Sequence, residues 1–267
     1  MKHPIPVTPG SEVHLGDFDA DDTGGIQSKK DALKELDENI EALADLSYRL
    51  YAESRRSLLL VLQGMDTAGK DGTIRHVMRG FNPQNCQVTS FKQPSIEELN
   101  HDFLWRISRA LPRKGCVGIF NRSHYEDVLI VRVHQLVPEE EWKSRYERIN
   151  AFEKLVTSGG TTLIKMFLHI GKEEQRKRLQ ARLDDPKKHW KFSRDDLKER
   201  GFWHDYQRAY EDALTRCSAK HAPWHVVPAN RRWYRNLLVS RILRATLEQM
   251  DPHFPAPEED WEGVVVE

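Results

Sequence analysis

The feature that most constrains the fold is the stretch SLLLVLQGMDTAGKDG, residues 57–72, in which an apolar run meets a glycine-containing loop. A short run that is apolar at nearly every position is typical of a strand buried on both faces of a parallel sheet. Gly64, Gly69 and Lys70 fit the G-x-x-x-x-G-K frame, in which backbone N–H groups and a lysine converge on phosphate oxygens. The stretch therefore predicts a phosphate-binding loop. The alternative is a tight strand-to-helix turn with a surface lysine.

The loop departs from the usual pattern at the position after its lysine. Asp71 stands where a nucleotide-hydrolysing loop carries the Ser or Thr that holds magnesium. We expect Asp71 to cap the following helix, where a negative charge meets the helix dipole favourably. Asp66 lies inside the loop, and a carboxylate close to bound phosphates needs a cation between them. Because Mg²⁺ prefers oxygen ligands and bridges phosphates, Asp66 is the predicted metal ligand.

The rest of the chain alternates apolar runs with helical patterns. Together these predict an α/β fold in which a parallel sheet is flanked by helices on both faces. Ser28 and Ser95 are predicted helix caps. The predicted strands are 57–63, 115–120, 161–170, 224–229 and, more weakly, 85–91, and the main predicted helices are 28–56, 95–112, 139–159 and 231–250.

The domain organisation follows from these elements. Residues 1–27, rich in Pro, Gly and Asp, are predicted to form an extended N-terminal arm. Residues 28–250 form the predicted main domain, which includes a lid at about 171–200, and 251–267 form a C-terminal tail.

Charge and cysteine content bound the function and the compartment. Lys and Arg number 41 and so do Asp and Glu, so no overall field attracts nucleic acid or a membrane, and an anion site must be a local cluster. The three cysteines lack ligand spacing, and neither a membrane span nor a signal segment is evident. We therefore expect a cytoplasmic protein with no nucleic-acid or membrane partner.

Three polar clusters each follow a predicted strand, at 64–73, 121–127 and 171–200. Ligands of parallel sheets bind outside the carboxyl ends of the strands, so the clusters are expected to form one site. In the second cluster, Arg122 and Arg132 are candidate phosphate clamps.

The segments GMDTAGKDG, NRSHYED, EEQRKRLQARLDDPKKHWKFS and APWHVV together resemble the polyphosphate kinase 2 family, over about 19–250. The resemblance implies a thymidylate-kinase-like P-loop fold with a helical lid. It also implies reversible transfer of phosphoryl groups between inorganic polyphosphate and nucleotides, with Mg²⁺ as cofactor, and a homo-oligomer that is a tetramer or a dimer of dimers. Position by position, Asp66 and Lys70 match the metal and phosphate residues of the loop, Arg122 the phosphate-binding arginine and Arg178 a lid residue.

The predicted site falls into four overlapping sets, the last of which is the polyphosphate-binding set in the lid. The catalytic set is Asp66, Lys70, Arg122, Glu126 and Arg178, and the metal set is Asp66, Asn121 and Glu126. The phosphate- and nucleotide-binding set is Gly64, Ala68, Gly69, Lys70, Asp71, Gly72, Arg122, Asp127 and Arg132.

Two positions depart from the commonest family pattern, Asp-Arg-Ser-Trp-Tyr-Asn-Arg. Asn121 replaces the first Asp, and Glu126 replaces the Asn. This variant resembles the class III subgroup, which acts on nucleoside mono- and diphosphates, so AMP, ADP and ATP are the expected nucleotides. Glu126 is expected to hold a metal at an alternative position. The other interpretation is that Glu126 only pairs with Arg122 or Arg132.

The lid is dense in cations, and residues four apart share a face of a helix. Arg178 is therefore expected to share a face with Arg182, and Lys187 with Lys191, while Lys188 adds a further positive charge. These five residues are the predicted polyphosphate-binding set. The alternative is an ordinary solvated helix of mixed charge.

The acceptor in this chemistry is a phosphate oxygen. Because the second pKa of a phosphate lies near 6, a strong general base is unnecessary, and positioning and charge neutralisation are expected to dominate catalysis. Two rival functions use the same residues: an ATP-dependent nucleotide kinase, which differs in its donor, and a non-catalytic polyanion-binding protein, which has no need of Asp66.

Overall fold

The computed structural model describes residues 6–257, 259 and 266. Its centre is one five-stranded sheet in the order β2-β3-β1-β4-β5, with every neighbouring pair parallel. The predicted α/β class and parallel sheet are confirmed. The strands are β1 (Ser57–Gln63), β2 (Cys86–Ser90), β3 (Val117–Asn121), β4 (Thr161–His169) and β5 (Trp224–Pro228).

Helices connect and flank these strands. Short 3₁₀ turns supplement them, notably Pro186–Lys191 in the lid and His124–Val128 after β3. The α-helices are α1 (Lys29–Glu53), α2 (Lys70–Val77), α3 (Ile96–Leu99), α4 (Trp105–Arg109), α5 (Ile130–Val133), α6 (Glu139–Ser158), α7 (Lys172–Leu183), α8 (Arg194–Gly201), α9 (Trp203–Arg216) and α10 (Arg232–Met250).

Strand β1 forms the middle of the sheet, and all seven of its residues are buried. It pairs with β3 on one side, where Val61 aligns with Phe120, and with β4 on the other, where Val61 aligns with Lys165. The nearly all-apolar sequence of β1 is explained by this position, because a central parallel strand is covered on both faces. The loop that follows β1 is therefore anchored at the centre of the sheet's carboxyl edge.

Helices α1 and α10 pack along each other. The side chain of Ser28 accepts a hydrogen bond from the backbone N–H of Asp31, which confirms the predicted cap of α1. Farther along, the amide of Asn39 donates to the hydroxyl of Ser240 at 3.1 Å, and both side chains are buried. The apolar stripes of these two helices are thus covered by each other within one chain.

The predicted helix over 95–112 is wrong, because two short helices, α3 and α4, replace it. Ser95 caps α3 as predicted and forms a reciprocal capping box with Glu98. The break follows from Asp102, whose side chain accepts a hydrogen bond from the backbone N–H of Leu104 at 3.0 Å. Such local side-chain bonds compete with a continuous helix and start a new turn.

The N-terminal arm, where the structure describes it, packs onto the domain. Val7, Val13 and Leu15 are buried in the core, and the backbone N–H of Val7 donates to the carbonyl of Trp224 at 2.8 Å. The first five residues of the predicted arm and most of the predicted tail beyond 257 lie outside the described residues. Within the described part, no helix is long and apolar enough to cross a membrane.

Candidate active site

The loop from Gly64 to Lys70 joins the end of β1 to the start of α2, as the motif predicts. Two of its glycines are sterically required. A Cβ on Gly64 would lie 2.9 Å from the carbonyl oxygen of Leu168, and one on Gly69 would lie 1.8 Å from Nη1 of Arg235. Gly69 also has a φ of 107°, which side chains disfavour. The loop is therefore packed tightly against both β4 and α10.

The carbonyl groups of the loop turn toward two helices. Gln175 of α7 donates to the carbonyl of Asp66 at 3.1 Å, and Arg178, also of α7, donates to that of Thr67 at 2.9 Å. Arg235 of α10 donates to the carbonyl of Ala68 at 3.0 Å. Helices α7 and α10 thus hold the outer side of the loop.

The N–H groups of the loop remain available. Among the described residues, none accepts a hydrogen bond from the backbone N–H of Thr67, Gly69 or Lys70. Unpaired N–H groups at the N-terminus of a helix form a ready anion site, because the helix dipole adds to their partial charges. The surface-turn interpretation is therefore disfavoured, and the geometry is that of a phosphate cradle.

Lys70 is buried against this loop, with Nζ donating to the carbonyl of Gly64 at 2.5 Å. Burial, together with the charge of Arg122, lowers the pKa of Lys70 to about 8, although Asp66 opposes the shift. The Lys70 ammonium donates to neutral carbonyl oxygens, those of Gly64 and Met65, and a bound phosphate would supply an anionic partner.

Arg122 follows β3 and adopts a left-handed backbone conformation with φ of 64°. Its guanidinium pairs with Asp66 at 3.0 Å and with Glu126 at 3.6 Å. The charge of Glu126 raises the pKa of Arg122, with a smaller contribution from Asp66 and with burial opposing both. Asp66, Arg122 and Glu126 thus form a chain of alternating charge, and the first two line the cleft.

Asp71 is not the N-cap of α2, so the capping expectation is wrong, but its negative charge does meet the dipole of α2 favourably, as expected. The N-cap of α2 is Gly69, with no side-chain cap hydrogen bond. Asp71 lies in the first turn, and its Oδ1 accepts a hydrogen bond from the amide of Asn121 at 2.7 Å. The carboxylate after the lysine therefore links the phosphate loop to the end of β3 and orients the Asn121 side chain.

These residues line a cleft of about 1040 Å³ across the carboxyl ends of the strands. The lining carries eleven Lys and Arg side chains but only two acids, Asp66 and Asp71. A protein of zero net charge therefore concentrates positive charge at one place, as predicted. Such a cleft favours a highly charged anion.

The lid consists of α7, the 3₁₀ turn Pro186–Lys191 and α8. Arg182, Lys188 and Lys191 line the cleft, whereas Lys187 is exposed and, among the described residues, lies outside the lining. The predicted pairing of Lys187 with Lys191 is wrong, because a 3₁₀ turn has three residues per turn and places Lys188 and Lys191 on one face.

Arg178 belongs to the base of the lid. It is 7% exposed, pairs with Glu174 at 2.7 Å and contacts four backbone carbonyls, in the phosphate loop and after β5. It lines the cleft as well. Its guanidinium is therefore committed mainly to fixing the loop, and its direct contact with polyphosphate stays a prediction.

Two predicted phosphate residues lie elsewhere. Arg132 donates to Asp212 at 2.5 Å and stacks over the ring of Trp142 at 4.6 Å. Asp127 accepts from Arg145 at 3.1 Å. Burial raises the pKa of Asp127 to about 6, although Arg145 opposes the shift.

These partners explain why both predictions are corrected. Arg132 and Asp127 tie the segment after β3 to α6 and α9 and, within the described structure, do not line the cleft. Gly64 and Ala68 also lie outside the lining and act through the backbone of the loop.

Several cleft residues were missed by sequence reasoning. Arg235 of α10 is 3% exposed and contacts the Ala68 carbonyl and the Asn236 amide oxygen. Burial, with the charges of Arg178 and Arg232, lowers the pKa of Arg235 to about 9. Arg232 and Lys92 also line the cleft. The one available signal was that Arg232 and Arg235 open the helix after β5, where ligands of parallel sheets bind.

The donor set at the cleft fits a magnesium ion. Asp66 offers a carboxylate and Asn121 an amide oxygen, and Mg²⁺ takes one or two protein oxygens with waters and phosphates completing its shell. No group of three or more His, Cys, Asp or Glu side chains suited to an all-protein metal site occurs among the described residues. The third predicted ligand, Glu126, lies beside Arg122, and its contact with a metal remains a prediction.

Comparison with known proteins decides the family. The model of the polyphosphate kinase 2 family matches residues 26–255, which is most of the chain. The chain belongs to this family. The matched region contains the phosphate loop, the segment after β3 and the lid, so the whole site described above lies within it.

Relatives in the polyphosphate kinase 2 family resemble the chain over nearly its full length. A protein of Meiothermus ruber called AMP/ADP-polyphosphate phosphotransferase is 51% identical over 98% of both chains. One of Rhodopseudomonas palustris called ADP-polyphosphate phosphotransferase is 46% identical over 93% of this chain and 90% of its own. The crystal structure of polyphosphate kinase 2 from Arthrobacter aurescens TC1 matches with a TM-score of 0.93 and 45% identity, covering 97% of this chain and 95% of that one. The P-loop kinase fold is thereby established.

Proposed function

We propose that this protein transfers phosphoryl groups reversibly between inorganic polyphosphate and nucleotides, converting AMP to ADP and ADP to ATP. Family membership and the names of the full-length relatives support the donor and the reaction class. The relatives differ in their named acceptors, since one is named for AMP and ADP and the other for ADP alone. Use of both acceptors is therefore the finer part of the proposal.

The observation that carries the proposal is the phosphate cradle opening into the cationic cleft. The volume of the cleft, about 1040 Å³, lies at the upper end of the range for small-molecule pockets. This volume suits a nucleotide beside a segment of a phosphate chain. The cleft's eleven cations against two acids suit two polyanions better than one. Bringing donor and acceptor phosphates together against their repulsion is the main task of this chemistry.

The residues divide this task. The free N–H groups of the loop and Lys70 hold one phosphate group, and Arg122 stands beside it, oriented by Asp66 and Glu126. Arg182, Lys188 and Lys191 line the lid side of the cleft, where a phosphate chain would extend and from which water would be excluded. No side chain is required as a strong base, because the acceptor phosphate is already a dianion at neutral pH.

Asp66 and Asn121 are the proposed holders of Mg²⁺. The bound ion would neutralise developing charge between the donor and acceptor oxygens. The hydrogen bond from Asn121 to Asp71 uses the amide N–H, so the amide oxygen of Asn121 stays available. The protein therefore supplies one charged and one neutral oxygen ligand.

Use of both AMP and ADP requires the acceptor phosphate to reach the same point although AMP is one phosphate shorter. A neutral ligand at Asn121 holds a metal less rigidly than a carboxylate does. Glu126, which pairs with Arg122 at 3.6 Å and lies outside the described cleft lining, is the proposed second carboxylate. Their combination supports a metal position that shifts between acceptors. Glu126 would then matter more for one acceptor than for the other.

The deciding experiment incubates the pure protein with polyphosphate, magnesium and either AMP or ADP, and separates the products by anion-exchange chromatography. We expect ADP and then ATP from AMP, and ATP from ADP. An ATP-dependent nucleotide kinase would instead form ADP from AMP only when ATP is supplied. A non-catalytic polyanion-binding protein would give no product in either case.

The protein is also proposed to form a homo-oligomer, with a tetramer or a dimer of dimers as the expected state. Helices α1 and α10 pack along each other within the monomer. Exposed apolar side chains lie on and after strand β2 at the edge of the sheet, where Val88 is 47% exposed, Ile96 81% and Leu99 69%; α1 also carries three, Leu33, Tyr48 and Tyr51. Light scattering of the purified protein would give the mass, and a monomer at micromolar concentration would contradict the proposal.

A further inference from the structure

A cluster of ionisable side chains is enclosed in the core, outside the cleft. It contains Glu153 of α6, Lys165 of β4, and His124 and Tyr125 of the 3₁₀ turn after β3. Each of the four is at most 1% exposed. None of them lines the cleft in the described structure, and the transfer chemistry gives them no direct task.

Every member of the cluster contacts the carboxylate of Glu153. The Lys165 ammonium donates to its Oε2 at 2.5 Å, and the Tyr125 hydroxyl donates to its Oε1 at 2.8 Å. Nε2 of His124 lies 3.1 Å from the same Oε1. Burial alone would raise the pKa of Glu153, but the charge of Lys165 and the hydrogen bond from His124 hold it below its usual value. The ionised carboxylate of Glu153 thus joins the other three side chains.

Stability alone is a weak reason for such a cluster. The cost of removing two charges from water often exceeds the attraction between them. Apolar side chains of similar volume frequently stabilise a core at least as much as a buried ion pair does. Three hydrogen bonds join the cluster to Glu153, although Nδ1 of His124 has no partner among the described residues. Such a buried network fixes the relative positions of its members. The position it fixes here is that of the segment directly after Arg122.

Arg122 needs such support because its backbone is strained. Its φ of 64° is unusual for a residue with a side chain. Toward β1, the backbone N–H of Arg122 donates to the carbonyl of Leu62 at 3.0 Å, and the side-chain amide of Gln63 donates to the hydroxyl of Ser123 at 3.1 Å. These bonds tie the segment to β1. On the other side, the next residues along the chain are His124 and Tyr125, which end in the cluster.

We propose that Glu153, charge-balanced by Lys165, is a positioning residue for Arg122. Through His124 and Tyr125 it holds the strained backbone that directs the Arg122 guanidinium into the cleft beside Asp66. The inference rests on the proposed phosphotransferase function. It goes beyond that function by assigning a role in catalysis to a side chain that touches neither substrate.

The test is a double-mutant cycle of Glu153→Gln with Arg122→Ala, measured as ATP formation from ADP and polyphosphate. In the wild-type background we expect Glu153→Gln to lower kcat about 10- to 100-fold, with the KM for ADP changed by less than about threefold. In the Arg122→Ala background, the same change is expected to lower the residual kcat by less than about twofold, since its target is already absent. A purely structural loss would act equally in both backgrounds.

Asn39→Ala provides the matched control, because it also breaks a buried polar contact, to Ser240, but between α1 and α10. It is expected to lower the melting temperature without lowering kcat. Where Glu153→Gln fails to fold, Tyr125→Phe replaces it, since that change removes one hydroxyl and leaves the Glu153 and Lys165 charges paired. The expectation is then a several-fold loss of kcat that disappears in the Arg122→Ala background.

Two results would overturn the inference: an equal loss of kcat in both backgrounds, or an unchanged kcat in a folded Glu153→Gln or Tyr125→Phe variant. Either result would leave the proposed function intact. Failure of the proposed function would appear differently, as absence of transfer by the wild-type protein itself.

Discussion

The burial of Lys70 predicts how activity depends on pH. Its pKa falls from 10.5 to about 8 because the ammonium is buried in the phosphate loop, next to the positive Arg122. The charged form is the one that attracts phosphate. As pH rises through about 8, the substrate-free protein therefore loses the charge that its phosphate cradle needs.

The size of the effect follows from the pKa. At pH 9, one unit above it, only about one-tenth of substrate-free molecules keep the Lys70 charge, so kcat/KM is expected to fall about tenfold per pH unit above 8. Bound phosphates favour the charged amine and raise its pKa in the complex. The alkaline limb of kcat is therefore expected at a higher pH than that of kcat/KM.

The assay measures initial rates of ATP formation from ADP between pH 7 and pH 10, varying polyphosphate at constant free magnesium. Lys70→Arg is the control, because a guanidinium stays charged across this range. Its activity is expected to be lower, and its kcat/KM is expected to lose the limb near pH 8. If Lys70→Arg keeps that limb, another group titrates there, and the assignment to Lys70 is refuted.

The remaining predictions concern the metal site, the lid and the acceptor. Asp66→Asn is expected to lower kcat at least about 100-fold with an unchanged melting curve, through loss of a metal ligand; near-normal turnover at saturating magnesium would remove Asp66 from the metal site. Lys188→Ala is expected to raise the KM for polyphosphate several-fold and to leave the KM for ADP unchanged. Lys187→Ala removes the same charge outside the cleft lining and is expected to change neither KM. Equal effects of the two substitutions would contradict the lid geometry. Glu126→Gln is expected to change the ratio of AMP to ADP turnover by at least about fivefold, and an equal loss with both acceptors would make Glu126 a general support for Arg122.

Much of the fold could be predicted because its signals are local. The nearly all-apolar β1 predicts a buried parallel strand, and the glycine frame after it predicts a phosphate loop. The failures also have local causes. The break between α3 and α4 depends on a single side-chain bond of Asp102, and the 3₁₀ geometry around Lys188 shifts which lysines share a face.

The site was predicted well where its residues sit on motifs and poorly where they meet only in three dimensions. Asp66, Lys70 and Arg122 lie together as expected. The place of Arg235 beside Gly69 depends on how α10 crosses the loop, more than 160 residues along the chain, and sequence spacing carries no sign of it. Arg132 and Asp127 were misplaced for the converse reason, because their partners lie on distant helices.

The most direct test of the central claim follows phosphorus atoms. The pure protein is incubated with ³²P-labelled polyphosphate, unlabelled AMP, magnesium and an inhibitor of adenylate kinase, and the labelled nucleotides are separated over time. Because both transfers are assigned to one cleft, labelled ADP should appear first and then ATP labelled in both its β and γ phosphates. Lys70→Ala should abolish both products together. Label that never enters ADP from AMP would contradict the dual-acceptor account, and loss of only one product in Lys70→Ala would contradict the single cleft.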